Sequence, residues 1–229
     1  MNEFWICLPL AAIILMGLVS CESDKLQDVD GNKYITIAVG SQVWMAGDLK
    51  TTRFNDGTPI PQVTKNDEWA DLASPAFSWY NNDSTHKEDY GALYNWYAVS
   101  TGKLCPEGWH VPSDEEWNEL VSGFGGLQNA GGALKETGNA HWRNPNTGAA
   151  DEIGFTALPG GYRSYNGTFN LLRASGYWWS STETNWYGSG ADGKPSTVIF
   201  WNIRYKSNEL FRFVSEKGNG FCVRCVMDQ

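Results

Sequence analysis

Cys105-Pro106-Glu107-Gly108-Trp109-His110-Val111-Pro112-Ser113, running straight into Asp114-Glu115-Glu116-Trp117-Asn118-Glu119-Leu120-Val121, is the stretch that decides the fold class. Ser113 can accept from the free N–H groups of a first helical turn while Glu116 reaches back to the Ser113 N–H, a capping box ahead of Trp117, Leu120 and Val121 at helical spacing. Asp114, Glu115 and Glu116 suit the positive end of the helix dipole. Gly123, Gly125 and Gly126 end the helix. It is the clearest helix in the chain, and most of what surrounds it reads as strands and turns.

Upstream, Asp30-Gly31 followed by Tyr34, Ile35, Ile37 and Val39, then Gly40-Ser41 and Val43-Trp44-Met45, predicts an N-terminal hairpin. Residues 51–90 are punctuated by Asn55-Asp56-Gly57, Pro59, Pro61, Pro75 and Asn81-Asn82-Asp83-Ser84, so they read as irregular, with strand character only at 76–80. Residues 92–99 are open between strand and helical turn. Downstream, apolar runs at 155–158, 177–181, 197–203 and 220–226 alternate with turns. Asn95-Trp96-Tyr97 and Asn185-Trp186-Tyr187 recur once, too little for a repeat. The expected fold is one α+β domain over residues 28–229, loop-rich, with short antiparallel strands and few helices.

The formal net charge of −9 gives no electrostatic footprint for nucleic acid, whose binding needs clustered Lys and Arg. Twelve Trp and 25 Gly suit a loop-rich fold in which large rings fill the gaps between irregular segments. Most of these rings are expected in the core, the strand Tyr177-Trp178-Trp179 among them.

Residues 6–19 form an apolar run that ends in Leu18-Val19-Ser20-Cys21. The run is short for a bilayer span and fits the apolar region of a secretory signal, with small residues before the cleavage point. The expectation is a lipoprotein signal over residues 1–20, lipidation at Cys21 and an acidic tether over residues 21–27. Acyl chains on Cys21 would anchor the protein without spanning the membrane. The leader departs from the usual pattern in one respect, since Met1-Asn2-Glu3-Phe4 carries no Lys or Arg.

Seven blocks carry a family resemblance: Asp30-Gly31-Asn32, Gln42-Val43-Trp44-Met45, Tyr90-Gly91-Ala92-Leu93-Tyr94-Asn95-Trp96, the stretch Leu104 to Ser113, Leu158-Pro159-Gly160-Gly161-Tyr162-Arg163, Tyr177-Trp178-Trp179-Ser180-Ser181-Thr182 and Val223-Arg224-Cys225-Val226. In order and spacing they resemble the Fibrobacter succinogenes major paralogous domain. The resemblance implies a single C-type-lectin-like domain, related to the fold of formylglycine-generating enzymes and carried on secreted or lipid-anchored proteins. The tether Cys21-Glu22-Ser23-Asp24-Lys25 is similar to acidic export signals of Bacteroidota-type lipoproteins, which implies the bacterial outer membrane and a surface-exposed position.

With Cys21 lipidated, the thiols of the body are Cys105, Cys222 and Cys225, in a compartment that permits disulfides. Period-two alternation along a strand puts Phe221, Val223 and Cys225 on one face and Cys222, Arg224 and Val226 on the other. The first face is the more apolar. Cys225 is therefore expected to face the core and pair with Cys105, leaving Cys222 free. A redox reading of Cys222-x-x-Cys225 would need a helix N-terminus, where Val223 and Val226 favour a strand.

Other chemistry is sparse. Gly188-Ser189-Gly190-Ala191-Asp192-Gly193 meets a dinucleotide glycine pattern, but Lys194-Pro195 stands where a helix should open. Asp28-Val29-Asp30-Gly31-Asn32 starts like a calcium loop, yet Lys33 and Val39 occupy the positions that need Gly and Glu, so a hairpin turn is expected. His86, His110 and His141 lack ligand spacing, and His110 is expected to be a buried, hydrogen-bonded structural residue. No catalytic residue, metal site or cofactor is assigned. Trp186, Tyr187 and Glu183, in a stretch expected to be a loop from 183 to 194, are the candidates for stacking on and orienting a ligand. The leading expectation is a lipid-anchored cell-surface binding or adhesion module, with a glycan or surface protein as partner and membrane contact through the anchor alone. The alternatives are an enzyme, formylglycine-generating in type or glycan-active, and a structural surface or pilus-associated component.

Overall fold

The computed structural model describes residues 26–189, 193 and 195–229. The expected signal and Cys21 lie outside them. No helix among the described residues is long and apolar enough to cross a membrane.

The helix predicted from Ser113 runs Asp114–Ser122, and its capping box is complete: Ser113 Oγ accepts from the Glu116 N–H at 3.2 Å, and the Glu116 carboxylate accepts from the Ser113 N–H at 2.7 Å. A second helix, Leu127–Leu134, follows the glycines that were expected only to end the first. Gly131 and Gly132 sit inside it, and a Cβ at Gly131 would collide with the Glu209 carbonyl. Their bareness lets the helix lie directly on the backbone at Asn208 and Glu209, where Gly132 N donates to Asn208 O at 2.8 Å.

Among the described residues the strands form four small antiparallel sheets. Leu26–Gln27 pairs with Lys33–Tyr34, so the last two residues of the expected tether belong to the folded body. Between them Asp28 accepts from the Asp30 and Asn32 N–H groups, from Asn32 Nδ2 and from the Tyr34 hydroxyl. That accounts for the calcium-like spacing as a turn. The predicted N-terminal hairpin is Thr36–Val39 with Gln42–Met45, and Val226–Met227 joins it so that Val226 pairs with both Trp44 and His110. A five-stranded sheet runs in the order Phe77–Ser78, Leu93–Asn95, Gly220–Phe221, Tyr162–Arg163, Phe169–Asn170. The last sheet is a meander of Ser175–Ser189, Pro195–Arg204 and Leu210–Glu216.

Two apolar clusters lie on either side of these strands. Neighbouring residues divide between them: Met45, Tyr94, Trp179, Val198 and Val223 enter one, and Trp44, Leu93, Trp178, Ile199 and Cys222 the other. Period-two alternation therefore carries apolar side chains into both faces of the same strands. Trp44, Trp69, Trp117, Trp142, Trp178, Trp179 and Trp201 are fully buried. The helical Trp117 stacks on Trp201 at 5.7 Å and meets Trp44 edge-on at 4.9 Å.

Cys105 and Cys225 form a disulfide across 120 residues, as the alternation implied. One part of that reading is corrected. The strand does not run through from 221 to 226, and Cys222, Arg224 and Val226 are as buried as the face opposite, because a second core covers them. Arg224 is admitted there by Asp48, whose Oδ1 accepts from Arg224 Nε at 2.7 Å and from Trp178 Nε1 at 2.8 Å. The rest of the guanidinium bonds to the Phe155 and Thr156 carbonyls.

Candidate functional site

The meander buries Trp178, Ile199, Trp201, Ile203 and Leu210 in one cluster. Its other face is only partly covered. There the register sets Trp179, Phe200 and Phe213 in one cross-strand row, with Tyr177 two residues before Trp179 and Phe211 two before Phe213. Trp179 is buried, but Tyr177 and Phe200 are half-buried and Phe213 is exposed. Where this face meets the Tyr162–Arg163 and Gly220–Phe221 strands, Tyr162, Tyr165, Tyr177, Phe200 and Phe221 line a cleft of about 370 Å³.

The rings are mutually braced. Tyr177 lies near-parallel to Phe221 at 5.3 Å and to Phe200 at 6.0 Å, and Tyr162 tilts against Tyr177 at 4.8 Å. Such contacts fix ring planes before any ligand arrives. Tyr165 is 55% exposed at the rim. Its N–H donates to Asn219 Oδ1 at 2.8 Å, and Asn219 Nδ2 donates to Ser215 Oγ at 2.7 Å. Burial first, and then the neighbouring Tyr162, push the Tyr177 hydroxyl up to about 12, so it stays neutral at physiological pH. Ser164 and Glu216 complete the polar lining.

The candidates read from sequence lie nearby. The stretch expected to be a loop instead continues as strand to Ser189, with breaks in register before Glu183 and after Thr184. Extending the hairpin in this way leaves Trp186 72% exposed. With Arg212, Phe213 and Val214 it bounds a second hollow of about 240 Å³, and Val214 lines both clefts. Arg212 is held by two bonds to the Asp114 carboxylate, at 2.7 and 2.8 Å. Glu183 accepts from Lys217 Nζ at 2.6 Å. The Tyr187 side chain lies outside what is described. Tyr177, assigned to a core strand by sequence, lines the larger cleft, whereas its neighbours Trp178 and Trp179 are core. The signal that could have singled it out is the run of period-two aromatics on three strands, Tyr177 and Trp179, Phe200, and Phe211 and Phe213.

Among the described residues the thiols are closed to chemistry. Cys225 is bonded to Cys105, so Cys222 and Cys225 are not a dithiol pair. Cys222 is fully buried, and that burial, with the Asp48 carboxylate beside it, holds the thiol well above its ordinary pKa. Among the described residues, no three His, Cys, Asp or Glu side chains are placed to hold a metal ion. His110 is half-buried, with Nδ1 2.6 Å from Asp228 and Nε2 2.7 Å from Glu116. It ties the C-terminal segment to the capping box.

The blocks from Gln42 to Val226 thus build one body: hairpin, capped helix, disulfide and aromatic meander. This chain belongs to the Fibrobacter succinogenes major domain family. The family's profile matches residues 37–227, which takes in both clefts and both bonded cysteines. No curated protein and no solved structure matches the chain. Membership of the Fibrobacter succinogenes major domain family therefore arrives without an assigned activity, and the functional reading rests on the surface itself.

Proposed function

We propose that this Fibrobacter succinogenes major domain is a lipid-anchored, non-catalytic binding module at the bacterial cell surface that takes up a glycan in the Tyr162–Tyr177–Phe200–Phe221 cleft. The observation that carries the reading is the cleft's make-up: pre-braced ring faces with a sparse polar rim of Ser164, Ser215 and Asn219. The C–H face of a sugar packs on such rings, while its hydroxyls need a few fixed donors and acceptors for orientation. The C-type-lectin-like relationship and the outer-membrane address, through acylation of Cys21, are parts of the same proposal. They rest on the sequence blocks and on the apolar leader.

Glycan-array binding by the full chain tests the site. Tyr177→Ala should abolish binding and Tyr165→Ala should weaken it; the rim variant should keep the wild-type melting profile, while the Tyr177 variant, which gives up its packing on Tyr162, Phe200 and Phe221, should melt lower but still cooperatively. An unaffected Tyr177→Ala would remove the cleft from consideration. Incorporation of labelled palmitate, lost in Cys21→Ser, tests the anchor. A protein partner is the second reading, favoured by the outlying Trp186, and crosslinking in intact cells that is lost in Trp186→Ala would support it.

A further inference from the structure

The aromatic face of the meander carries a cation without a counter-ion. Arg204 pairs in register with Ser175, and the next two rows on the same face are Tyr177–Asn202–Phe211 and Trp179–Phe200–Phe213. The Arg204 guanidinium lies 4.1 Å over the Phe211 ring and 5.3 Å over the Phe213 ring, and these two rings are within 6° of parallel. Its Nε donates to Asn202 Oδ1 at 2.8 Å. Asn202 is itself fully buried and donates from Nδ2 to the Gly176 carbonyl at 2.8 Å, which fixes the direction of its Oδ1. Rings below and an amide alongside thus hold the guanidinium, although Arg204 is exposed. Among the described residues its Nη groups have no acceptor, and it makes no ion pair. The acidic residues closest in register are turned elsewhere. Glu183, opposite Val198, accepts from Lys217. Glu216 is opposite Thr197, which puts its side chain on the Ile199 and Val214 face. Glu209 Oε1 lies 3.5 Å from Gln128 Nε2. Burial and the neighbouring Tyr162 raise the Tyr177 hydroxyl, while a hydrogen bond with Ser175 and the Arg204 charge act to lower it, in agreement with the register that sets Arg204 at the Tyr177 end of the cleft.

A guanidinium with free Nη groups presents parallel N–H bonds that match the two oxygens of a carboxylate. Stacking on rings sets its plane in advance, so less rotamer freedom is lost when a ligand arrives. We infer that the glycan taken up at the aromatic cleft carries a carboxylate, held by Arg204 while the sugar ring packs on Tyr177 and Phe200. This deepens the proposed function and rests on it: the ligand class becomes a glycan that contains uronic acid. The net charge of −9 over the chain opposes such a ligand at long range, but that field is screened beyond about 8 Å at physiological ionic strength. The contact with Arg204 is made at hydrogen-bond distance, where screening is weak.

Galacturonic acid oligomers and their fully methyl-esterified counterparts share skeleton and linkage and differ in charge. Calorimetric titration of the full chain in detergent at neutral pH, where the acids are ionised, should give tighter binding of the acid oligomer by about fivefold or more. Arg204→Gln should erase that preference and still unfold cooperatively. Arg204→Lys keeps the charge and gives up the planar fork, and should lose most of the preference. Lys33→Gln removes a positive charge outside the cleft and should leave the preference intact, which separates a docked carboxylate from a change in overall charge. Equal or better binding of the esterified oligomer, or a preference that survives Arg204→Gln, overturns the carboxylate assignment and leaves the glycan site standing. Failure of both oligomers while only uncharged glycans bind on the array does the same, whereas a chain that binds no glycan at all overturns both proposals.

Discussion

The buried Asp48–Arg224 pair offers the sharpest test of how this fold is held. Both side chains are 1% exposed, and Arg224 spends its remaining donors on the Phe155 and Thr156 carbonyls while lying 4.2 Å over the Phe155 ring. Removing one partner leaves the other charge buried and uncompensated, at a cost of about 3–5 kcal/mol. Asp48→Leu leaves the guanidinium unneutralised and the Trp178 N–H without its acceptor. Arg224→Met leaves the carboxylate bare and two carbonyls unpaired, each of which adds about 1 kcal/mol or more. With a urea dependence of about 2 kcal/mol per molar, a 4 kcal/mol loss moves the unfolding midpoint down by about 2 M. The double variant Asp48→Leu/Arg224→Met removes both charges together and keeps only the unpaired neutral groups. Its loss should therefore fall short of the sum of the two single losses by about 3 kcal/mol, read from urea unfolding followed by tryptophan fluorescence. Losses that add to within about 0.5 kcal/mol would refute the view that the pair acts as one electrostatic unit. So would single variants that cost less than about 1 kcal/mol, since uncompensated charge could not then be the source of the penalty.

Joint replacement of Cys105 and Cys225 by serine opens a loop of 120 residues and should cost about 5 kcal/mol by the chain-entropy relation, seen as a lowered urea midpoint. Cys222, fully buried and with its thiol held protonated, should resist a thiol reagent in the native body and react at once on unfolding; rapid labelling of the folded protein would contradict the burial. His110 supplies a pH dependence. Desolvation lowers its pKa, but the hydrogen bonds with Asp228 and Glu116 outweigh that effect and leave it above its ordinary value. A raised folded-state pKa means that the stabilisation is full below the unfolded value and is lost as pH rises through the folded one. Unfolding free energy should therefore decline from near-neutral pH into the mildly alkaline range, and His110→Gln should flatten the curve. Ser113→Ala removes the hydroxyl acceptor of the capping box and should cost about 1 kcal/mol, measurable as a fall in the thermal midpoint.

Local chemistry made parts of this fold legible, and long-range geometry hid the rest. Ser113 and Glu116 announced their helix because a capping box is satisfied within four residues. The second helix announced itself poorly, since Gly131 and Gly132 lower helix propensity for a reason that lies some 77 residues away, at the backbone of Asn208 and Glu209. Alternation at 221–226 identified the cysteine that faces Cys105, yet it ranked the opposite face only as the less apolar one and gave no sign of a second core there, because Arg224 is polar and its partner Asp48 is 176 residues distant. The same limit governs the candidate site. Trp186 stood out as an aromatic in a glycine-rich stretch, and the structure does leave it exposed. Tyr177 did not, because its neighbours Trp178 and Trp179 are core and nothing in the local pattern says that a ring two residues before Trp179 loses its cover. What uncovers it is register: Phe200 and Phe213 continue the Trp179 row across the meander, while Tyr162 and Phe221 approach from another sheet and stop short. A binding surface of this kind is the place where a row of aromatic residues runs out of partners, so finding it requires knowing which strands end beside which, and composition cannot supply that.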